Sequence, residues 1–562
     1  MRNQDASLYQ RAKKFLMRRT NYETFKSIPY DQMKGSLERV RRFLTYLGNP
    51  DRQYAIVHVA GTKGKGTTCA ALDQIYRAAG YRVGLFTSPH LEELVERFQI
   101  NGQNCDKTLF AETTFALADQ WKDFLAREKR SQRKNGENGF DESEIQLTFF
   151  EWTLIIAVTL FARAKVDVAI LEVGLGGRFD ATNACDADVS VLTSVSYDHC
   201  EQLGNTIRAI ASEKLGIVKS NAPLVCGAGY SGSLYRGMEE FRNRFVRLNH
   251  ESRDETCRRS CFSRRDADES DSIESDAPAY PEFDAPSMVP VAPLFKIGNG
   301  VTMADYAFAV DPQTTISAED VETVRNLARA KAAEFNAPFY SVEALSPRVA
   351  AFPTPPFDSV RRWNFEIALR VVETLATRIT APERRPGADD PEHTRRYPVS
   401  DAAISVAAAN FAIPARFEIV SKTPLIVVDG AHNRASVAAF MREVAERFPD
   451  RKVKILLATT IGKDIRGILA ELIARADEII LSERQNDPRA TPLPDMIQIA
   501  ETLMDETCSE DSPIRRKFHV APDFRAFLAD YCTRPNKGND VLCAIGSFYF
   551  AAKVRRILKK SV

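Results

Sequence analysis

The sequence lacks an apolar run long enough to span a bilayer. The best stretch, 147–164, is interrupted by Glu151 and Arg163, so no membrane span is expected. It also lacks a surplus of either charge. Its 76 Lys and Arg face 75 Asp and Glu, a net charge of +1. That balance gives no electrostatic footprint for a nucleic acid or a lipid surface. Ten cysteines are scattered without zinc-site pairing. The closest two, Cys257 and Cys261, form a CxxxC in a polar stretch with no second pair. Free thiols in a reducing, cytoplasmic compartment are the expectation. Residues 1–20 are basic but carry no apolar core or cleavage signature, so no targeting peptide is expected.

What remains is an ordinary globular composition, 44% apolar and 27% charged over 562 residues. That length holds two or more domains. In the first half, 54–60, 82–87, 166–173, 189–194 and 223–226 are short β-branched or apolar runs separated by helical patterns. Such runs predict buried parallel strands with helices on both faces. The rhythm returns in 424–428, 452–458, 478–481, 517–520 and 541–545, with helices starting near Asn433, Asp464, Pro494, Pro522 and Ser547. The expected fold is α/β. A P-loop-type parallel-sheet ATPase domain over 1–345 is followed by a smaller Rossmann-like domain over 363–562. A proline-rich linker at 346–362 joins them. Two polar stretches, 126–144 and 249–288, are expected to be surface insertions with little to bury.

The most informative segment is Val59–Cys69, Val-Ala-Gly-Thr-Lys-Gly-Lys-Gly-Thr-Thr-Cys. A strand precedes it and an alanine-rich helix follows. Glycines in that context let backbone N–H groups approach an anion at a helix N-terminus. Lys65 would reach the terminal phosphates, and the Thr67 or Thr68 hydroxyl would face Mg²⁺. Other polar motifs also follow strand ends, where open α/β sheets bind ligands. They are Ser88-Pro89-His90-Leu91, Glu172 with the Gly174–Arg178 turn, Asp198-His199, and Lys214 beyond it. Singly, each has a bland reading: a turn, a capped carboxylate, a structural histidine, a solvated lysine. Together they make a phosphate loop, a hydroxyl, a carboxylate and an imidazole on one sheet. Glu172 and Ser88 suit Mg²⁺, which takes oxygen ligands and keeps waters. An imidazole is a less usual Mg²⁺ ligand.

The order of these motifs resembles the folylpolyglutamate synthase / dihydrofolate synthase family of the Mur ligase superfamily. The resemblance rests on Gly61–Thr67, Ser88–Leu91, Glu96–Gly102, Thr148–Glu151, Leu171–Asn183 and Asp198-His199. It continues through 415–418, Asp429–Asn433, Lys463-Asp464, 488–490 and 546–548. It spans both domains and omits the insertions and the extreme N-terminus. It implies an ATP-dependent ligase that joins L-glutamate to a folate or dihydropteroate carboxylate through an acyl phosphate. Thr62, Lys63, Gly64, Lys65, Gly66 and Thr67 would hold the ATP phosphates. Asn364, Arg416, Asp429 and His432 would complete the nucleotide site. Ser88 and Glu172 would hold one Mg²⁺, and His199 with Glu172 a second. Lys214 matches a lysine carbamylated in many members, and with Lys65 and His199 makes the implied catalytic set. Thr148, Phe149 and Asp180 would approach the pterin. The partners implied are small molecules, with no nucleic acid and no membrane, and the chain would be a monomer. One departure stands out: Ala415 precedes Arg416 where the family usually has glycine. The shared machinery leaves open which acid is used, dihydropteroate, a reduced folate or both. Another Mur-type ligase and a non-catalytic nucleotide binder are the competing readings.

Overall fold

The computed structural model describes residues 2–21, 35–134, 146–228, 296–297, 301–302, 317–350, 352, 359–377, 396–485, 487–507, 515–533 and 539–560. The expected insertion at 249–288 lies outside them. The chain divides into one compact unit of 1–230 with 309–562 and another of 231–308. Of the latter, a two-stranded antiparallel ladder is described, Lys296–Ile297 with Val301–Thr302.

The larger unit holds two sheets. The first contains β1 (Ala55–Ala60), β2 (Val83–Phe86), β3 (Phe98–Ile100), β4 (Gln103–Asn104), β5 (Val168–Glu172), β6 (Val189–Leu192) and β7 (Leu224–Cys226). Counting the ladder as β8 and β9, it also contains β10 (Phe339–Ser341). Its order is β10-β7-β6-β1-β5-β2-β3-β4. The pairs from β10 to β2 are parallel, and β3 and β4 are antiparallel. β1 is buried along its whole length. Ile56 points to one core cluster, while Ala55, Val57 and Val59 point to the other. This two-sided burial explains why the strand reads as an unbroken apolar run rather than an alternation.

The second sheet contains β11 (Glu418–Lys422), β12 (Leu425–Val428), β13 (Lys452–Leu457), β14 (Glu478–Ser482), β15 (Phe518–Ala521) and β16 (Asp540–Ile545), in the order β11-β12-β16-β13-β14-β15. Only β11 runs antiparallel. The ten strands expected from the sequence are all present. The antiparallel edge strands β3, β4 and β11 were not expected, being short and half polar.

Two further differences concern helices. The Lys107–Lys134 helix runs through the first part of the stretch expected to be a loop insertion. Its charged residues there suit an exposed helix end, which polarity alone does not distinguish from a loop. The Ser359–Thr377 helix overlaps the expected linker. Its Trp363, Phe365, Ile367 and Val371 join Ile404 and Phe411 in the core cluster built on β1 and the Lys65–Ala78 helix. The cover of the first sheet thus extends past 363, to about Phe411.

Candidate functional site

The loop after β1 is held by the exit of β6. The Thr62 N–H donates to the Ser194 carbonyl at 2.8 Å. The Thr193 and Ser194 hydroxyls donate to the Lys63 carbonyl at 2.7 and 2.9 Å. Gly64 caps the Lys65–Ala78 helix at φ +85°, and a Cβ there would stand 2.1 Å from Asn364 Oδ1. Only glycine fits that approach. Asn364 Oδ1 also accepts the Thr68 hydroxyl at 3.2 Å. Thr68 is therefore engaged, which leaves half-buried Thr67 as the hydroxyl at the loop. Lys65 Nζ and Lys214 Nζ donate to the same Gly61 carbonyl at 3.1 and 3.2 Å. Gly177 permits this convergence, since its absent Cβ would meet the Lys214 carbonyl at 2.7 Å. Burial, with Lys65 nearby, pulls the Lys214 amine down to about 7. Burial lowers Lys63 too, against the pull of Asp198.

Glu172 ends β5 beside this loop and is 5% exposed. Its Oε2 accepts the Ser88 N–H at 3.1 Å, and Oε1 lies 3.6 Å from where a Gly66 Cβ would stand. Burial raises its carboxyl; Lys65, the Ser88 N–H, Arg416 and Arg97 oppose that. His199 is half-exposed at φ +53°, with Nε2 3.8 Å from Asp198 Oδ1. Burial lowers it, Asp198 opposes, and Lys214, Lys463 and Lys65 add to the lowering. Asp198 Oδ2 pairs with Lys63 Nζ at 3.1 Å. Burial pushes Asp198 up, but Lys63 and His199 outweigh it and hold the carboxyl well below its ordinary range. Among the described residues no three His, Cys, Asp or Glu side chains converge on one point. Any cation here would take much of its coordination from phosphate oxygens and water. One buried carboxylate beside one hydroxyl fits Mg²⁺ on those terms.

The second sheet brings its own strand ends to this place. Asp429, after β12, accepts the Phe417 and Ala431 N–H groups, each at 2.7 Å. Burial raises it, opposed by Arg416 and those two N–H groups. The Arg416 guanidinium is 4.0 Å from the centre of the Phe548 ring. His432 Nδ1 lies 2.7 Å from the Gly430 carbonyl. Burial, then Lys63 of the first domain's loop, lowers His432 to about 4. Arg361 ties the halves together. Its Nη1 meets Glu443 Oε1 at 2.7 Å and its Nη2 donates to the Arg416 carbonyl at 2.9 Å.

Residues 415–548 match the Mur ligase glutamate ligase domain. The dihydrofolate synthase/folylpolyglutamate synthase of Bacillus subtilis is 25% identical over 539 residues, covering 94% of this chain and 96% of that one. Over nearly its whole length the chain is thus similar to a dihydrofolate synthase/folylpolyglutamate synthase, and its second sheet carries the glutamate ligase domain of Mur ligases. The Escherichia coli protein of the same name is 41% identical over 195 residues, 34% of this chain and 40% of its own length. A Yersinia pestis bifunctional folylpolyglutamate synthase/dihydrofolate synthase, solved with AMPPNP and Mn, shares the fold. Its TM-score is 0.60 at 23% identity, with 98% of each chain covered.

The residues expected at the acid-binding side are placed unevenly. Thr148 caps the Phe149–Arg163 helix, its hydroxyl accepting the Glu151 N–H at 3.3 Å. Glu151 returns to the Thr148 N–H at 2.9 Å and holds Arg39 at 3.0 and 2.7 Å. Asp180 accepts the Gly174, Leu175 and Thr182 N–H groups at 3.0, 2.9 and 3.0 Å, so its carboxylate braces the glycine turn. Phe149 is fully buried in the core. Its neighbour Phe150 is half-buried and stands 2.8 Å from where a Gly174 Cβ would be. The ring at the turn is therefore Phe150. Two adjacent phenylalanines look alike in sequence, and helix phase decides which one is core.

Sequence reasoning also missed Arg97. It is 1% exposed, lies 5.3 Å over the Phe149 ring and donates Nε–H to His90 Nδ1 at 2.9 Å. The signal was the arginine inside the Glu96–Gly102 motif. Arg361 gave no signal, because its partner Glu443 is 82 residues away.

Proposed function

We propose that this chain is an ATP-dependent amide ligase that adds L-glutamate to the carboxylate of a pterin acid. The observation that carries this reading is the meeting of Lys63, Lys65, Lys214 and Glu172 from the first sheet with Arg416, Asp429 and His432 from the second. ATP would lie between the strand ends, with its phosphates on the 61–67 loop and the helix N-terminus behind it. The acid's carboxylate oxygen attacks the γ-phosphorus and ADP leaves, giving an acyl phosphate. The glutamate amine then attacks the acyl carbon. Phosphate departs, the amine loses a proton, and the amide forms. The protein positions the groups and neutralises charge, as in other phosphoryl transfers. Lys65 draws negative charge onto the γ-phosphate. Ser88 and Glu172 would hold a divalent cation, which when bound screens the phosphate charge.

Lys214 is buried with its amine poised near 7. Its neutral form is the one that adds CO₂, forming an N–C bond and releasing a proton to leave a carbamate. His199 and that carbamate would then support a second cation.

The amino acid's site is drawn from the second sheet. Ser547 Oγ receives Arg484 Nη1–H, the Thr460 hydroxyl at 3.3 Å and the Tyr549 N–H at 3.2 Å. The Arg484 and Tyr549 N–H groups fill its two lone pairs, so between the Ser547 and Thr460 hydroxyls one proton is left to donate to a carboxylate.

The test is phosphate release by the full chain with ATP, Mg²⁺ and glutamate, with dihydropteroate in one arm and tetrahydrofolate in the other. Acid- and glutamate-dependent release is expected in at least one arm. Lys65→Ala and Glu172→Gln, checked for folding, should each lower kcat by about 100-fold or more. Release that needs neither acid nor glutamate, or full turnover in Lys65→Ala, would sink the reading.

A further inference from the structure

His58 sits in β1, shortly before Gly61, whose carbonyl receives Lys65 and Lys214. It is 1% exposed, and its Nε2 lies 2.8 Å from the Thr182 hydroxyl. That hydroxyl also meets Asp180 Oδ1. Asp180 already accepts the Gly174, Leu175 and Thr182 N–H groups, so its carboxylate is the acceptor and Thr182 gives it the hydroxyl proton. What Thr182 has left for His58 is a lone pair. The imidazole must therefore carry its proton on Nε2. The bonds run one way, from His58 to Thr182 to Asp180. Burial, with Lys219 nearby, lowers His58 to about 3, which keeps the ring neutral. Its bare Nδ1 has no partner among the described residues.

The bare Nδ1 sets this histidine apart from one that serves packing. An orphaned buried nitrogen costs at least as much as one neutral hydrogen bond returns. An apolar side chain would suit the core better, as Ile56 does on the same face of β1. What the ring adds is the Nε2–H. At the far end of the relay is the glycine turn that follows Glu172. Asp180 Oδ2 holds the Gly174 and Leu175 N–H groups of that turn. Asn183, in the same 180–183 segment, donates from Nδ2 to the Arg178 and Gly216 carbonyls, each at 3.0 Å. The Arg178 N–H donates to the Glu213 carbonyl at 2.8 Å, and Gly177 lies against the Lys214 backbone. One network thus fixes the exit of β5 and the end of the Ile207–Lys214 helix relative to β1. These segments carry Glu172, Lys214 and the 61–67 loop.

Resting on the ligase reading above, we propose that His58 is a positioning residue for phosphoryl transfer. Its Nε2–H turns the Thr182 hydroxyl onto Asp180, and Asp180 sets the turn against which Glu172 and Lys214 are placed. Its part is in the geometry of those groups, not in a contact with substrate.

The experiment has two arms. Selective ¹⁵N-histidine labelling of the full chain reads the tautomer at pH 7, with the His58 signals assigned by their loss in His58→Gln. A neutral ring protonated on Nε2 is expected. Protonation on Nδ1, or on both nitrogens, would break the relay and overturn the proposal. Steady-state phosphate release then compares wild type, His58→Leu, His58→Gln, Thr182→Val and the His58→Leu/Thr182→Val double variant, alongside their melting profiles. His58→Leu and Thr182→Val should each lower kcat about tenfold or more. KM for glutamate should stay within about twofold of wild type, because this network does not reach the Ser547 cluster. His58→Gln brings an amide N–H near Nε2 and should recover most of kcat. In the Thr182→Val background His58→Leu should cost nothing further, since the two act in series. Losses that multiply in the double variant, or kcat unchanged in both folded single variants, would overturn the proposal. If His58→Leu does not fold, Thr182→Val, which exchanges one hydroxyl for a methyl, decides alone. Wild type without acid- and glutamate-dependent release would remove the ligase reading itself, whatever the tautomer.

Discussion

Lys214 shows how much a single residue's surroundings decide. A helix-end lysine reads in sequence as a solvated cation, yet here it is 5% exposed, with Nζ on the Gly61 carbonyl. Its amine titrates near 7 in the folded chain and near 10.4 when unfolded. Between those values the unfolded chain binds the extra proton, so this group makes stability rise with pH. Below about pH 7 both states are protonated and the dependence ends. Denaturant unfolding in CO₂-depleted buffer from pH 7 to 9 checks this. Wild type should gain stability relative to Lys214→Met by up to about 1.4 kcal/mol per pH unit. Parallel curves for the two proteins would mean that Lys214 keeps an ordinary pKa. The same residue explains part of what the sequence could not tell. The motifs located Lys65, Glu172 and Lys214, but not that two ammonium groups share one carbonyl. Nor did they show that the hydroxyl of Thr148 and the carboxylate of Asp180 are occupied with backbone N–H groups.

At the scale of elements, the parallel strands were legible because both their faces are buried, which leaves long β-branched runs in the sequence. Packing partners were not. The Ser359–Thr377 helix starts just after a proline cluster that invites a boundary, and only its contact with the Lys65–Ala78 helix shows where it belongs. The turn before β11 carries one of the departures from the family's pattern that were visible in advance. Ala415 sits at φ +52°, in the left-handed region. Its N–H donates to Glu418 Oε2 at 2.9 Å, and its carbonyl accepts the Gly430 N–H at 2.9 Å. The glycine usual here suits that backbone, whereas alanine costs about 1–2 kcal/mol there. Part of the gain from glycine is lost to the greater freedom of the unfolded chain. Ala415→Gly should therefore stabilise by up to about 1 kcal/mol, and Ala415→Val, β-branched at positive φ, should destabilise by more than that. Urea midpoints of the three proteins measure both. A destabilised glycine variant would show that Ala415's buried methyl outweighs its backbone cost.

At the scale of the whole molecule, the candidate site needs both sheets, so what holds them together sets its geometry. Arg361 is placed for this. It rides on the helix that covers the first sheet, while its guanidinium meets Glu443 and the carbonyl of Arg416 on the second-sheet side. Its side chain is 11% exposed and that of Glu443 7%. A charge so buried is costly to leave without its partner, although Arg447 also pairs with Glu443. Removing Arg361 should therefore act less on folding than on the placement of Arg416, which lies over Phe548 and beside Asp429. Closure of two domains around a nucleotide depends on such ties. Arg361→Met should raise KM for ATP about tenfold, roughly the loss of one charge-assisted hydrogen bond. KM for glutamate should change little, because the Ser547 cluster is built wholly within the second sheet domain. Protease cleavage at 410–417 should speed up in the same variant. A purely local packing role would instead lower stability and leave the ratio of the two KM values as it is in wild type.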